Sequence, residues 1–165
     1  MRILGIAAVL ALAACSNSAP PPAEVVEAKS LTPGEYAMTS KITAFRSTDG
    51  ATAASKAKIG DTFETKACVA ADGTLDPAIF AVANEKCGAT NVYASDGRMS
   101  IQMSCSSPDY PGQIMPAIDG KFTADHFEGT STTTTYLTGP GDYALSRTVS
   151  ATRTGECPPA KEVKS

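Results

Sequence analysis

Four cysteines supply the most reactive side chains in the body of this chain: Cys68, Cys87, Cys105 and Cys157. An even number of cysteines in an exported chain predicts a disulfide framework, here with three connectivities. The competing chemistry is metal binding, but the chain has no C-x-x-C pair and only one histidine. We therefore predict two disulfides, no metal site and no cofactor.

The fifth cysteine, Cys15, directly follows a targeting signal. A positively charged start precedes an apolar run from Ile3 to Leu12, and small residues lie just before the cysteine. This run is too short to span a bilayer, which needs about 20 residues. Residues 1–14 resemble a bacterial lipoprotein signal, which implies attachment of acyl chains such as palmitate at Cys15. The alternative is an ordinary secretory signal, cut after Ala11-Leu12-Ala13.

The polar, Pro-rich composition of residues 15–30 predicts an extended tether. Ser16 follows the lipidated cysteine, where aspartate is the usual inner-membrane retention signal in Gram-negative lipoproteins. We therefore expect a lipid anchor in the outer membrane, on its periplasmic side. Each buried methylene contributes about 0.8 kcal/mol, so two or three acyl chains hold a protein stably.

Nucleic-acid binding is disfavoured by the charge of the chain. Its 17 acidic residues outnumber its 14 basic residues, and no basic cluster is present to neutralise phosphates. The chain has no tryptophan, five tyrosines and five phenylalanines, so a single domain over residues 31–157 has few large side chains for its core. Residues 158–165 are predicted to form a disordered tail.

Catalytic candidates are few. A Ser-His-Asp or Cys-His device would need His126, and its chain neighbour Asp125 would seldom orient the ring usefully. A histidine in a turn is the simpler interpretation, and we predict that the protein is not an enzyme. Four methionines could form a thioether copper site, although their alternation favours core packing; they are Met38, Met99, Met103 and Met115.

Short alternating runs rich in Thr, Val, Ile and Tyr predict a mainly β domain. We predict an antiparallel meander of about 7–8 strands, closed as a small barrel or folded as a sandwich, with one short helix. An odd number of antiparallel strands closes badly, so an eighth strand or an open seam is expected. On the first run, one face is expected to carry Tyr36, Met38, Ser40, Ile42 and Ala44.

The single helix is predicted from Asp76 as its N-cap, Pro77 in its first position, and the residues from Ala78 to Glu85. Its apolar residues Ile79 and Val82 are expected to plug one end of the sheet. Elsewhere, the hydroxyl run from Ser131 to Thr135 predicts either a solvated edge strand or a cavity lined by hydroxyl groups.

A hairpin from Ala89 to Cys105 is indicated by the turn pair Asp96-Gly97. A three-residue loop would place Ala94 opposite Arg98 and hence Cys87 opposite Cys105, whereas a two-residue loop shifts this pairing by one. We favour disulfides Cys87–Cys105 and Cys68–Cys157. The competing connectivity is Cys68–Cys87 with Cys105–Cys157.

Strand parity gathers residues 76–86, 106–113 and 138–142 at one end of the domain. Tyr110 and Tyr143 are therefore candidates to line a ligand site at that end. Arg147 and Arg153 share the inner face of the last strand by parity. Either a bulge turns them outward, or one of them lies at a polar opening in the core.

In order along the chain, these features resemble a bacterial family of unknown function, the domain-of-unknown-function family 3617. The resemblance covers about residues 31–157 and implies export and a small β-rich domain, with no catalytic or binding residues to transfer. Tyr36 stands where members often carry tryptophan. The matching motifs are Pro33-Gly34-Glu35-Tyr36, Cys68-Val69, Lys86-Cys87, Met103-Ser104-Cys105, Phe127-Glu128-Gly129 and Thr154-Gly155-Glu156-Cys157.

From these features we expect an envelope lipoprotein whose domain serves binding or interaction without catalysis. Its partners would be the membrane, through the lipidated N-terminus, and a protein of the envelope. The first alternative is a carrier that holds a small apolar ligand in a barrel mouth. The second is an enzyme of unidentified chemistry.

Overall fold

The computed structural model describes residues 29–82 and 84–159, which form one seven-stranded sheet. Cys15, most of the tether and the tail beyond residue 159 lie outside the described residues. In the described part, no helical segment has the length and hydrophobicity that a membrane span requires. The strands are β1 (Gly34–Ser47), β2 (Thr62–Val69), β3 (Lys86–Ser95), β4 (Arg98–Ser106), β5 (Gly112–Phe122), β6 (His126–Leu137) and β7 (Tyr143–Gly155).

All neighbouring strands are antiparallel, in the order β2-β1-β7-β6-β5-β4-β3. The prediction of a mainly β antiparallel fold is confirmed, and the sheet curls into a half-barrel. Six antiparallel pairings separate β2 from β3, so these two edge strands run in the same direction and cannot be joined by a hairpin. The expected open seam therefore lies between them, and residues 70–85 must travel the length of the strands to connect them.

The concave face of the sheet holds the core, because inward residues alternate with outward residues along every central strand. β1 follows this alternation from Tyr36 through Met38 and Ser40 to Ile42. A β-bulge between Ile42 and Ala44 then shifts the register. The prediction that Ala44 shares the inner face is therefore wrong: Ala44 is exposed, and Phe45 is half-buried.

The predicted helix is also wrong, because a single 3-10 turn, Pro77–Phe80, takes its place. Asp76 does cap this turn, with its carboxylate accepting from the Ala78 N–H at 2.9 Å. The carbonyl of Ile79 accepts a hydrogen bond from the side chain of Thr65, and that of Phe80 from Arg147. An α-helix would direct these carbonyls to N–H groups four residues later, so tertiary partners end the turn.

The β3–β4 hairpin has a two-residue turn at Asp96-Gly97, rather than the three-residue loop on which the cysteine pairing was counted. This turn alone would place Cys87 opposite Ser106. A β-bulge at Thr90 adds one residue to β3 and restores Cys87 to its position opposite Cys105. Two register changes thus cancel, and the cysteines face one another.

Two disulfides are present, Cys87–Cys105 and Cys68–Cys157, which is the connectivity that the sequence favoured. The first joins edge strand β3 to β4. The second joins edge strand β2 to the segment after β7, and it passes over the start of β1 because Glu35 pairs with both Cys68 and Gly155. Each edge of the open sheet is therefore linked covalently to its interior.

Candidate functional site

Polar groups gather at one end of the half-barrel, where loops 48–61, 107–111 and 138–142 meet the last residues of the segment 70–85. We call this end the loop end. Its position follows from strand direction, since β1, β4 and β6 end there while β2, β3, β5 and β7 begin there. The loops that sequence parity grouped together thus lie at one end of the sheet.

Tyr143, the first residue of β7, is buried at the loop end, and its hydroxyl lies 3.2 Å from that of half-buried Tyr110. Burial raises the pKa of Tyr143, and the Tyr110 hydroxyl raises it further. The phenol is therefore neutral and serves only as a hydrogen-bonding group. The structure brings the two predicted tyrosines together; that they line a ligand site stays a prediction.

Arg147 lies on the concave face two inward positions beyond Tyr143, and only 1% of its surface is exposed. The β7 strand is regular here, because the bulge lies in its partner β1, so parity keeps the guanidinium inside. Nη2 donates to the Phe80 carbonyl at 2.8 Å and to Ser131 Oγ at 3.3 Å. Nε and Nη1 are buried and have no hydrogen-bond partner among the described residues.

The charged group that acts on Arg147 is Glu85, which lies in the residues leading into β3. Burial raises the pKa of the Glu85 carboxyl, while the Val82 N–H and the Arg147 charge lower it. Its Oε2 accepts from the Val82 N–H at 3.0 Å. The ion pairs found within the described residues are Lys66–Glu35 and Arg153–Glu156, so Glu85 and Arg147 are not in direct contact.

Burial also lowers the pKa of Arg147, while Glu85 and Tyr143 raise it. An arginine pKa starts so high that the guanidinium remains charged. A buried cation without a direct counter-ion is costly, and removing the Glu85 charge would raise that cost. An acceptor group beside Nε or Nη1 would lower that cost.

The Ser131 hydroxyl contacts this cation, and further buried hydroxyl groups lie on the same concave face. Ser131, Thr133 and Thr135 point inward from β6 and are buried, and the Ser40 hydroxyl on β1 is buried without a partner among the described residues. The prediction of a solvated edge strand at residues 131–135 is wrong, because β6 lies between β5 and β7. The inward half of the Thr-rich run instead supplies polar groups to the interior.

The other sequence candidates are dispersed. His126 lies on the outer face, with Nδ1 at 3.1 Å from Thr152 Oγ1, and Asp125 is exposed. Met38, Met99 and Met103 are core residues, whereas Met115 is on the outer face and 44% exposed. Four thioethers on opposite faces cannot share one copper ion.

One group of three potential metal ligands occurs within the described residues: Glu85, Cys87 and Cys105, whose ligand atoms lie within 4.8 Å of one another. Both sulfurs belong to the Cys87–Cys105 disulfide. Because metals bind thiolates, this cluster offers a single carboxylate as a ligand in the oxidised protein.

Arg147 was the residue that sequence reasoning left undecided. Its inward parity was a valid signal, and a regular β7 strand would have been enough to place it. Glu85 was missed because it was assigned to the last position of the predicted helix and given no role. In place of that helix, the Glu85 N–H donates to the Val82 carbonyl at 3.0 Å, and this turn delivers the carboxyl to the loop end.

Comparison with known families gives a match over residues 31–157 to "Protein of unknown function (DUF3617)". The chain belongs to this family. The DUF3617 match begins at buried Leu31 and ends at Cys157, so it includes every strand and both disulfides. Neither the curated proteins nor the solved structures that were compared give a match.

Proposed function

We propose that this chain is a lipid-anchored, non-catalytic binding module of the bacterial envelope. Acyl chains on Cys15 would hold it at the periplasmic side of the outer membrane, with residues 15–30 as the tether. The lipoprotein-like signal supports the anchor. The two disulfides support an oxidising compartment.

The buried polar cluster at the loop end carries the binding role. Arg147, with two unpaired nitrogens, faces the same interior as Glu85 and the Tyr110–Tyr143 pair. Binding sites place a few convergent polar groups in an apolar surround, and buried Ile42 and Leu145 supply that surround here. Catalysis would also need an activated nucleophile or proton carrier, and His126 lies away from this cluster.

The cluster favours a small ligand over a protein partner, because Arg147 and Tyr143 are too deeply buried for another folded chain to reach. A carrier of a purely apolar ligand is disfavoured, because the charged guanidinium would then face hydrocarbon without a hydrogen-bond partner, which is costly. The proposed ligand is therefore small and carries a polar group.

Mass spectrometry of the chain extracted gently from its native envelope tests the whole proposal. Under denaturing conditions, we expect the mass of the chain from Cys15 onward plus acyl chains, with four cysteines oxidised. A Cys15→Ala variant is the matched control and should carry no acyl mass. Under native conditions, a small-molecule adduct should remain on the protein and dissociate on unfolding.

An unacylated mature chain would contradict the anchor. An adduct-free native spectrum would contradict the small-ligand role. A protein-sized adduct in place of the small one would instead favour an envelope protein as the partner.

A further inference from the structure

Arg147 presents hydrogen-bond donors that the described part of the protein does not use. Unpaired buried polar atoms are rare in native proteins, and they often indicate a bound water or ion. Nε and Nη1 are both of this kind, although the same side chain is anchored firmly through Nη2. The guanidinium is thus held in place with its remaining donors directed into the interior.

The geometry of the guanidinium limits what can bind. In the planar group, Nη2 shares one edge with Nε and the other with Nη1, so the two free donors lie on different edges. An oxygen acceptor at either edge would satisfy one of them. Across the strands, Arg147 pairs with Ile42 of β1. The next inward residue of β1 is Ser40, whose hydroxyl also has no partner among the described residues.

The charges around Arg147 favour an anion as that acceptor. The titratable groups that act on it are Glu85 and Tyr143, and Tyr110 acts in turn on Tyr143. The Tyr143 phenol is neutral, and burial favours the neutral form of Glu85. When Glu85 is protonated, the guanidinium is the one charge left in this interior cluster of described residues. Hydrogen bonds between arginine and a carboxylate are charge-assisted and roughly twice as strong as those between neutral groups.

From this geometry we propose that Arg147 binds the carboxylate of a small organic acid at the loop end, with Ile42 and Leu145 contacting the apolar body of the acid. This inference rests on the small-ligand role proposed above, but not on the lipid anchor. It adds the ligand class and the residue that recognises it. It also implies that Glu85 is a competing negative charge.

Through Glu85, the proposal predicts a pH dependence of ligand affinity that a purely structural role for Arg147 would not produce. A bound carboxylate disfavours ionised Glu85, so protonation of Glu85 and ligand binding favour each other. Affinity should therefore rise as the pH falls, down to the pH at which the ligand itself is protonated. Glu85→Gln keeps a carbonyl oxygen for the Val82 N–H and removes the charge.

The test is a titration of the full processed chain with sodium butyrate, using a Cys15→Ser background so that no detergent is needed. The measured signal is the Nε–Hε resonance of Arg147 in ¹H–¹⁵N spectra. We expect a saturable shift with butyrate and none with butan-1-ol or sodium chloride. Glu85→Gln should strengthen binding by roughly tenfold, as expected for nearby charges in a partly buried site, and should flatten its pH dependence.

In Arg147→Met, which lacks that resonance, butyrate should no longer shift the backbone amide resonances of Ile42 and Leu145. Arg46→Gln, at an exposed position on β1, is the matched control and should bind as the parent does. If Arg147→Met does not fold, the titration of the parent chain and of Glu85→Gln still decides. No saturable Arg147 shift, an equal response to butan-1-ol, or weaker binding by Glu85→Gln would overturn the proposal. If the native mass spectrum nevertheless shows a neutral ligand, the binding role survives and the ligand class fails.

Discussion

At the scale of single residues, a few buried polar groups connect distant parts of the chain. The Tyr36 hydroxyl lies 3.0 Å from the Thr32 carbonyl and 2.9 Å from the Ala124 carbonyl, so it ties the start of β1 to the β5–β6 turn. Burial is the main cause of the raised pKa of this phenol. A tryptophan at this position would also offer an N–H donor at the far end of a large ring, which is how the two residue types can serve one position.

Asp49 performs a similar task at the surface of the loop end, and its titration can be predicted. Its carboxylate accepts from the N–H groups of Gly141 at 2.7 Å, Ala51 at 2.9 Å and Asp142 at 3.1 Å. These hydrogen bonds, with that from Gly141 the strongest, lower its pKa from 3.8 to about 2. The ionised carboxylate thus joins loop 48–61 to the turn 138–142.

Because the folded pKa of Asp49 lies below the unfolded value, its stabilising effect is complete well above pH 3.8 and is lost as the pH falls through about 2. We expect Asp49→Asn to lower the melting temperature near neutral pH. The difference from the parent should shrink as the pH falls and vanish only below about pH 2. Thermal melts across this range give the comparison, and a carboxyl ¹³C titration reads the pKa directly. An Asp49 pKa near 3.8 would contradict this account.

Sequence reasoning succeeded at residues whose placement depends on parity alone. Tyr110 and Tyr143 were correctly placed together, because strand directions fix which loops lie at the same end of the sheet. The inward position of Arg147 also followed from parity, but one bulge in β7 would have reversed it. Bulges arise from local packing between strands. The bulges in β1 and β3 fall at Thr43 and Thr90, and threonine is too common in this sheet to mark a bulge in the sequence.

At the scale of elements, the turn Pro77–Phe80 shows why local signals misled the helix prediction. An acidic N-cap followed by proline suits the first turn of an α-helix and of a 3-10 helix equally well. What ends the turn is Thr65 on β2, whose hydroxyl donates to the Ile79 carbonyl at 2.6 Å, together with Arg147. Neither partner is visible in residues 76–86.

Thr65→Val tests this dependence, because it keeps the shape of the side chain and removes the hydroxyl. The Ile79 carbonyl would lose its partner, so we expect a loss of about 1–2 kcal/mol in the free energy of unfolding. Thr39→Val, at an exposed position on β1, is the control and should change it by less than about 0.5 kcal/mol. Urea denaturation measures both variants. Equal stabilities would mean that this hydrogen bond does not hold the turn.

In the β3–β4 hairpin, the predicted cysteine pairing is correct although the predicted turn is not. The sequence predicted that Cys87 faces Cys105, and it does, but the count assumed a three-residue loop. Asp96 and Gly97 both have positive φ, which is the two-residue turn that the D-G pair prefers. The bulge at Thr90 then compensates for the shorter turn. The disulfide position followed from the sequence, whereas the path of the strand between the cysteines did not.

At the scale of the whole molecule, strand parity explains both the open seam and the crossing segment. The fold class and the strand number followed from alternating patterns, and the seam followed from the odd count. The direction of the segment 70–85 requires the pairing of β1 with β7, a contact between the two ends of the domain that no local pattern reports. Leu75, Ile79 and Phe80 on this segment are buried, so the seam is covered by the chain itself.

Edge strands β2 and β3 would be weak points of such an open sheet, because each lacks one neighbour. The two disulfides fasten them, and their separations in sequence differ: 89 residues for Cys68–Cys157 and 18 for Cys87–Cys105. In the chain-entropy account, a disulfide stabilises by restricting the unfolded chain, and the restriction grows with the loop that it closes. The longer loop should therefore contribute more.

Replacing each pair by alanine tests this order. We expect a loss of roughly 3 kcal/mol for the Cys87–Cys105 pair and roughly 4.5 kcal/mol for the Cys68–Cys157 pair. Guanidinium denaturation of both variants, with equal slopes as the check on two-state unfolding, gives the comparison. Cys105 is buried in the core whereas Cys157 is half-buried, so packing alone predicts the reverse order. A larger loss for the hairpin pair would mean that core packing, and not the restriction of the unfolded chain, sets the stability of this open sheet.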